Sequence, residues 1–374
     1  MSEMSGASSS ALSLSRRCFV AGAVATAASA IGTNASAQAA QGGGKTEKGE
    51  ASKQPKPAAP NLAATPPAGF VPMKAPGLVV KVTGTNTLQP NQLWPTDQAA
   101  KQMLERAMTE LTGQSDMGKA FGKFVHPKDR VAIKLNGIAA QKGATMATNK
   151  ELVLEIVKGV LAAGVAPENL WLLEQYPTFL TGTRAKDDVL PEGVKGYTHN
   201  NTDATPTEVR VHGIPTKFAR KLIEATAVIN VALIKDHALS GYTGLMKNMT
   251  HGVTMNPHLF HANLMDPQIP LLFAQDAIRS RMRLQITDAF KVIFNGGPLD
   301  RDPRSRVPYE SVFVGTDPVA LDAVGWKVLD QLRQEHGLPT LAKAKREPTY
   351  IHRAQDIGLG IADVNRIRVK ESRI

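Results

Sequence analysis

The sequence is poor in the residues that build several familiar kinds of site. Cysteine occurs once, as Cys18. That excludes an internal disulfide, a cysteine-based structural zinc site and a Cys₄ iron–sulfur cluster held by this chain. Aromatic residues make up only 5%. No RNA- or DNA-binding module is recognisable, so nucleic acid is not the expected partner of the +11 formal charge. G-x-G-x-x-G, a Walker loop, G-x-S-x-G and H-E-x-x-H are all missing. What remains is ordinary for a folded protein. The chain has 374 residues, 42% hydrophobic and 21% charged, enough for one large or two ordinary domains.

The position of the cysteine marks an export segment. Ser15-Arg16-Arg17 precedes Cys18, small uncharged residues run from Ala21 to Ile31, and Ala35-Ser36-Ala37 supplies an A-x-A cleavage site. Basic n-region, short h-region and small-residue site read as a secretory signal peptide over 1–37, and the paired arginines point to the twin-arginine route. The alternative is an uncleaved tail with two chance arginines. The apolar run falls well short of the roughly 20 residues that span a bilayer, so no transmembrane anchor is expected after cleavage. Cleavage after Ala37 removes two arginines and one glutamate and takes the formal charge from +11 to +10. The expected location is the periplasm or another exported compartment, with the twin-arginine translocase as a partner in transit. Residues 38–70, with Gly42-Gly43-Gly44 and alternating Lys and Glu from Lys45 to Glu50, read as a disordered linker that cannot bury a core.

From residue 71 to 374 the pattern is that of one α/β domain. Strands are expected at Leu78–Val82, Arg130–Leu135, Leu170–Leu173, Ala227–Ile234, Leu284–Ile286, Ser311–Val314 and, as an edge, Ile367–Val369. Helices are expected at Asp97–Leu111, Asn149–Ala163, Lys217–Glu224, Asp266–Arg281 and Pro318–Leu332. Short β-branched runs alternating with helices predict a mostly parallel sheet flanked by helices. The stretch 178–216 reads as an insertion able to form a small lobe.

Ligands of open parallel sheets bind beyond the carboxyl ends of the strands. The residues following the expected strands are therefore candidates: Lys134 and Asn136, Glu174, Lys235 and His237, Asp288, and Asp317. The richest stretch is 235–261, with Lys235, His237, Lys247, Asn248, His251, His258 and His261. As a donor-rich pocket it would bind an anionic small molecule. Lys134, Asn136, Lys247, Asn248, Asp317 and Asp322 are the candidate ligand-binding residues; Lys235, His237 and His251 are the candidates for catalysis and proton transfer. The plain alternative is a solvated loop with surface histidines. His258, His261 and Asp288 form a candidate set for a divalent metal, although their spacing matches no established ligand pattern. Asp317-Pro318 equally suits a helix start, with an acceptor at the N-cap and proline at N1. Asp322 lies in an apolar helical run and needs a partner there. Glu174 is either an acid/base group or a loop carboxylate.

The order Val131-x-x-Lys134-x-Asn136, Ile229-Asn230-Val231-x-x-x-Lys235-x-His237, Thr243-Gly244-x-x-Lys247-Asn248, Asp288 with Gly297-Pro298, Asp317-Pro318-Val319-Ala320-x-Asp322 and Ala354-x-x-x-Gly358-Leu359-Gly360 resembles the domain of unknown function 362 family over roughly 125–370. The resemblance implies an α/β domain whose matching polar residues Lys134, Asn136, Lys235, His237, Lys247, Asn248, Asp288, Asp317 and Asp322 line one site. It also implies redox company, because many members carry ferredoxin-like iron–sulfur modules. This chain departs there: it has no Cys-x-x-Cys-x-x-Cys run, and no iron–sulfur cluster is expected from it. Three readings of function fit. One is an exported enzyme acting on an anionic small molecule, with or without a metal. Another is a non-catalytic periplasmic binding protein using the same basic pocket. The third is an accessory protein with a redox partner.

Overall fold

Val131–Lys134 and Ala227–His237 are buried along their whole length, as strands covered on both faces must be. The structure is a computed structural model and describes residues 61–138 and 145–374. The expected signal peptide and most of the expected linker lie outside the described residues. Residues 61–70, read from composition as the end of that linker, run along the folded body. There Arg281 donates to the Leu62 carbonyl and Ala64 N–H donates to Ser280 Oγ.

In chain order the strands are β1 (Leu78–Thr83), β2 (Val131–Lys134), β3 (Leu170–Glu174), β4 (Lys195–Thr198), the hairpin β5 (Val209–Val211) and β6 (Ile214–Thr216), β7 (Ala227–His237), β8 (Gly241–Thr243), β9 (Met282–Ile293), β10 (Arg306–Gly315) and β11 (Arg368–Arg373). The helices are α1 (Asp97–Thr112), α2 (Met117–Phe121), α3 (Lys150–Ala162), α4 (Pro177–Gly182), α5 (Arg220–Glu224), α6 (Leu245–His251), α7 (Gln268–Phe273), α8 (Asp276–Arg279), α9 (Pro318–Glu335) and α10 (Tyr350–Asp356).

Nine strands form one sheet in the order β11-β1-β10-β9-β7-β2-β3-β4, with β8 folded back on β7. All of them run the same way except β10, which is antiparallel to both β1 and β9, and β8. The expected α/β fold with a mostly parallel sheet is therefore what forms. Alternate strand residues face opposite sides: Ile133 joins a core with α1, α2 and α3, and Ala132 joins a second core with α6, α7, α9 and α10. The sheet is thus sandwiched between two helical layers.

Local signals place most helix ends. Thr96 accepts from Ala99 N–H at the start of α1, and Gly113 ends it in the left-handed conformation. Asp317 caps α9 ahead of Pro318. Three expectations change in extent. The helix expected from Lys217 starts only at Arg220. The one expected over Asp266–Arg281 is two short helices, its start moved to Gln268 by Pro267, which disfavours helical backbone in the residue before it. The strand expected at Leu284–Ile286 runs twelve residues, to Ile293. Its buried Gln285, Thr287, Asp288 and Lys291 disguise it as a loop. The stretch 178–216 does not stand apart as a unit: it supplies α4, the edge strand β4 and the β5–β6 hairpin.

Candidate functional site

Because β2, β3 and β7 are parallel neighbours, Lys134, Glu174 and the Lys235–His237 segment emerge at one edge of the sheet. A cavity of about 120 Å³ sits there, walled by the β2 and β3 ends, the β7–β8 hairpin, α6 and the turn carrying His261.

A hydrogen-bonded network underlies the cavity. Lys134 Nζ donates to Glu174 Oε2 at 2.9 Å, to the Leu135 carbonyl at 2.6 Å and to Asn248 Oδ1 at 3.3 Å. Glu174 also accepts from the N–H groups of Gln175 and Gly137. Asn248 Oδ1 accepts from Asn136 as well, while its amide donates to Asn230 Oδ1 and the Val231 carbonyl. Lys235 Nζ donates to Asn136 Oδ1 at 2.8 Å and to the Ile138 carbonyl at 2.6 Å. The ends of three strands and one helix are thereby tied through side chains whose hydrogen-bonding capacity is nearly filled, the condition under which a buried polar network stiffens a site. Gly252 makes room for it: a side chain there would press on Lys134 Cε and Nζ.

Two groups in the cavity wall are left over. Lys247 is buried and has no acceptor for its ammonium among the described residues. Thr243 Oγ1 is fully buried without a partner. Both belong to the Thr-Gly-x-x-Lys-Asn motif. The same motif holds Gly244, where a side chain would overlap the Asp322 carboxylate. Asp322 reaches across from α9 and accepts from Leu245 N–H at 2.7 Å and Met246 N–H at 3.0 Å. It caps α6 in place of the side chain that Gly244 lacks.

The three pocket histidines differ in which nitrogens they have to offer. His237 Nδ1 accepts from Leu239 N–H at 3.0 Å and Ser240 N–H at 3.1 Å. Its lone pair is therefore on Nδ1 and its proton on Nε2. Burial and nearby Lys247 push its pKa down to about 2, so it is neutral. His251 bonds at both nitrogens, to Thr250 Oγ1 and to the Phe260 carbonyl. His261 Nδ1 lies 2.8 Å from the Pro257 carbonyl and so carries the proton. Its Nε2 bears the lone pair and has no protein partner among the described residues. Burial and Lys247 lower His261 to about 4. His261 packs edge-on against His251, with ring centres 4.6 Å apart, and faces His237 at 6.2 Å.

Several expected site residues lie elsewhere. Asp288 is interior to β9, opposite Leu233, and its carboxylate takes Asn149 N–H at 2.7 Å and the Asn149 side-chain amide. It clamps the first residue before α3. His258 sits exposed on its turn. The structure therefore does not bring His258, His261 and Asp288 together as a ligand set. Among the described residues no group of three or more His, Cys, Asp or Glu is arranged for a metal ion. Of the three pocket histidines only His261 presents an imidazole lone pair, so these residues do not fit a divalent metal. Asp317 lies at the opposite edge of the sheet because β10 is antiparallel; its oxygens accept from Val319, Ala320, Gly77 and Ile361. Asp317 and Asp322 are thus helix caps, and His251, placed in the wall, has no nitrogen left for proton transfer. Thr243 and Asn230 are the site residues that sequence reasoning passed over. Asn230, a polar residue inside an apolar strand, was the available signal for one of them.

Four lysines are held below their ordinary 10.5 chiefly by burial: Lys134, Lys235 at about 7, and Lys247 and Lys291 at about 8. Between pH 8 and 10 the unfolded chain keeps protons on Lys235, Lys247 and Lys291 that the folded chain has released. Stability therefore rises with pH over that window. The expected result is a higher urea midpoint at pH 9.5 than at pH 7.5; an equal or lower midpoint would contradict the burial of these ammonium groups.

The family described as a domain of unknown function, DUF362, matches residues 131–327, more than half of the chain. The chain belongs to that family. No curated protein matches it. Among solved structures, the lactate racemase apoprotein from Thermoanaerobacterium thermosaccharolyticum is similar at 13% identity with a TM-score of 0.37. The similarity covers 63% of this chain, which spans 57% of the length of that one.

Proposed function

We propose that the pocket binds a small anionic molecule and that the protein is an enzyme moving a proton on it. The observation that carries this reading is the contrast between the lysines. Lys134 and Lys235 behind the wall are held by acceptors, while Lys247 in the wall has none among the described residues. An ammonium that faces a small cavity without a counter-charge is costly, and an anion relieves that cost. His237 Nε2–H adds a second donor, and among the described residues His261 Nε2 is the imidazole nitrogen of the cavity wall left with a free lone pair. A non-catalytic binding protein would use Lys247 in the same way without transferring a proton to His261.

The test is calorimetry with acetate and phosphate at pH 7. The wild type should bind at least one of them, and Lys247→Met should lose about tenfold or more, the scale of one charge-assisted hydrogen bond in a buried site. Affinity should also fall as pH rises above about 8, where the ligand-free Lys247 gives up its proton. Equal binding by wild type and Lys247→Met would remove the reading.

A further inference from the structure

We infer that the pocket selects a small carboxylate carrying its own hydroxyl donor, an α-hydroxy acid, over the same carboxylate without one. This inference rests on the anion reading above and adds the substrate class. It follows from counting what the wall still offers once internal bonds are made. Asn136, Asn248, Glu174 and His251 are taken up by protein partners. Remaining are the Lys247 ammonium, the Thr243 hydroxyl, the His237 Nε2–H, the His261 Nε2 lone pair and the Gln175 side-chain carbonyl.

Two of these groups can only donate, one can do either, and two can only accept. A bare carboxylate satisfies the donors but sets its lone pairs against that of His261 Nε2, or leaves that atom unmatched. A hydroxyl next to the carboxylate donates to His261 Nε2 while the carboxylate accepts from Lys247 and His237. Sites built to pair with a substrate hydroxyl reject the analogue lacking it, because the protein group is then left alone. An α-amino acid also supplies a donor, but its ammonium brings a second cation beside Lys247, with Lys134 and Lys235 close behind. The pocket has no unengaged carboxylate to receive it: Glu174 is held by Lys134 and two backbone N–H groups. The volume of about 120 Å³ is somewhat below the 150 Å³ that accommodates benzene, which limits the ligand to about five or six non-hydrogen atoms. Glycolate, acetate and glycine fall in that range and differ in the group at issue.

The experiment is calorimetry at pH 7 with these three compounds on the wild type, Lys247→Met and His261→Phe, together with ¹⁵N imidazole spectra of the wild type. Glycolate should bind about fivefold to tenfold more tightly than acetate, and glycine no better than acetate. In His261→Phe that preference should shrink to about one. The spectra should show the proton of His261 on Nδ1 and that of His237 on Nε2. Glycolate and acetate binding alike, both dependent on Lys247, would overturn this inference and leave the anion reading standing. No binding by either would overturn both. A preference that survives in His261→Phe, glycine matching glycolate, or a His261 proton on Nε2 would each overturn the assignment of that residue. The spectra decide the matter even where His261→Phe does not fold.

Discussion

Glu174→Ala should destabilise the protein by about 3–5 kcal/mol in chemical denaturation, because it leaves Lys134 buried and without its counter-charge. The two side chains are 1% and 3% exposed, so water cannot take over the carboxylate's role. The loss should shrink as pH rises. Burial already lowers Lys134, and Glu174 is the charge that resists this; without it the ammonium releases its proton at lower pH and the uncompensated charge disappears. The companion measurement is Lys134→Met combined with Glu174→Leu. Removing both charges replaces an ion pair by apolar volume and should recover much of the loss, as buried pairs elsewhere do. A single variant with wild-type stability would mean that the pair is not dry.

Asp322→Ala is expected to be comparably severe, at about 2–6 kcal/mol, since two buried N–H groups at the start of α6 lose their only acceptor and each costs about 1–3 kcal/mol. One effect works the other way. Burial raises the Asp322 carboxyl to about 7, so removing it also removes an unfavourable charge. Asp322→Asn separates the two contributions, because it keeps an acceptor oxygen and discards the charge. It should therefore be markedly milder than Asp322→Ala. Equal losses would show that capping is not what Asp322 contributes. Asp322→Ala should also weaken anion binding, because α6 carries Lys247 three residues beyond its N-cap Gly244, within the first turn.

The parts of the molecule that could be read from sequence are those where local chemistry agrees with the final structure. Strand β7 is an apolar run bounded by polar residues, and α1 has its threonine cap and glycine stop in place. The residues that gathered as expected, Lys134, Asn136, Lys235, His237, Lys247 and Asn248, all follow parallel strands or lie on the adjoining helix. The failures have definite causes. Asp288 was placed at a strand end because β9 satisfies its polar residues internally and looks like a loop. Asp317 was placed at the site because nothing local reveals that β10 runs backwards. The roles of the histidines depend on carbonyl and amide partners that only the folded backbone supplies. The family resemblance named these motifs but could not say that two of its three aspartates, Asp317 and Asp322, serve as helix caps, the second for the Thr-Gly-x-x-Lys-Asn segment.

The cap on α6 also imposes an order in time. Leu245 and Met246 obtain their acceptor from a residue 77 and 76 positions later in the chain. At a synthesis rate of about 5–20 residues per second, the ribosome needs roughly 4–15 seconds to reach Asp322 after α6 has been made. Throughout that interval the short helix that bears Lys247 has no means of satisfying its first N–H groups except water. Strands β2, β3 and β7 can already pair, so the nascent protein can possess its sheet well before it possesses a ligand pocket. A chain released after α6 but before residue 322 would then hold most of the parallel strands and still be unable to bind.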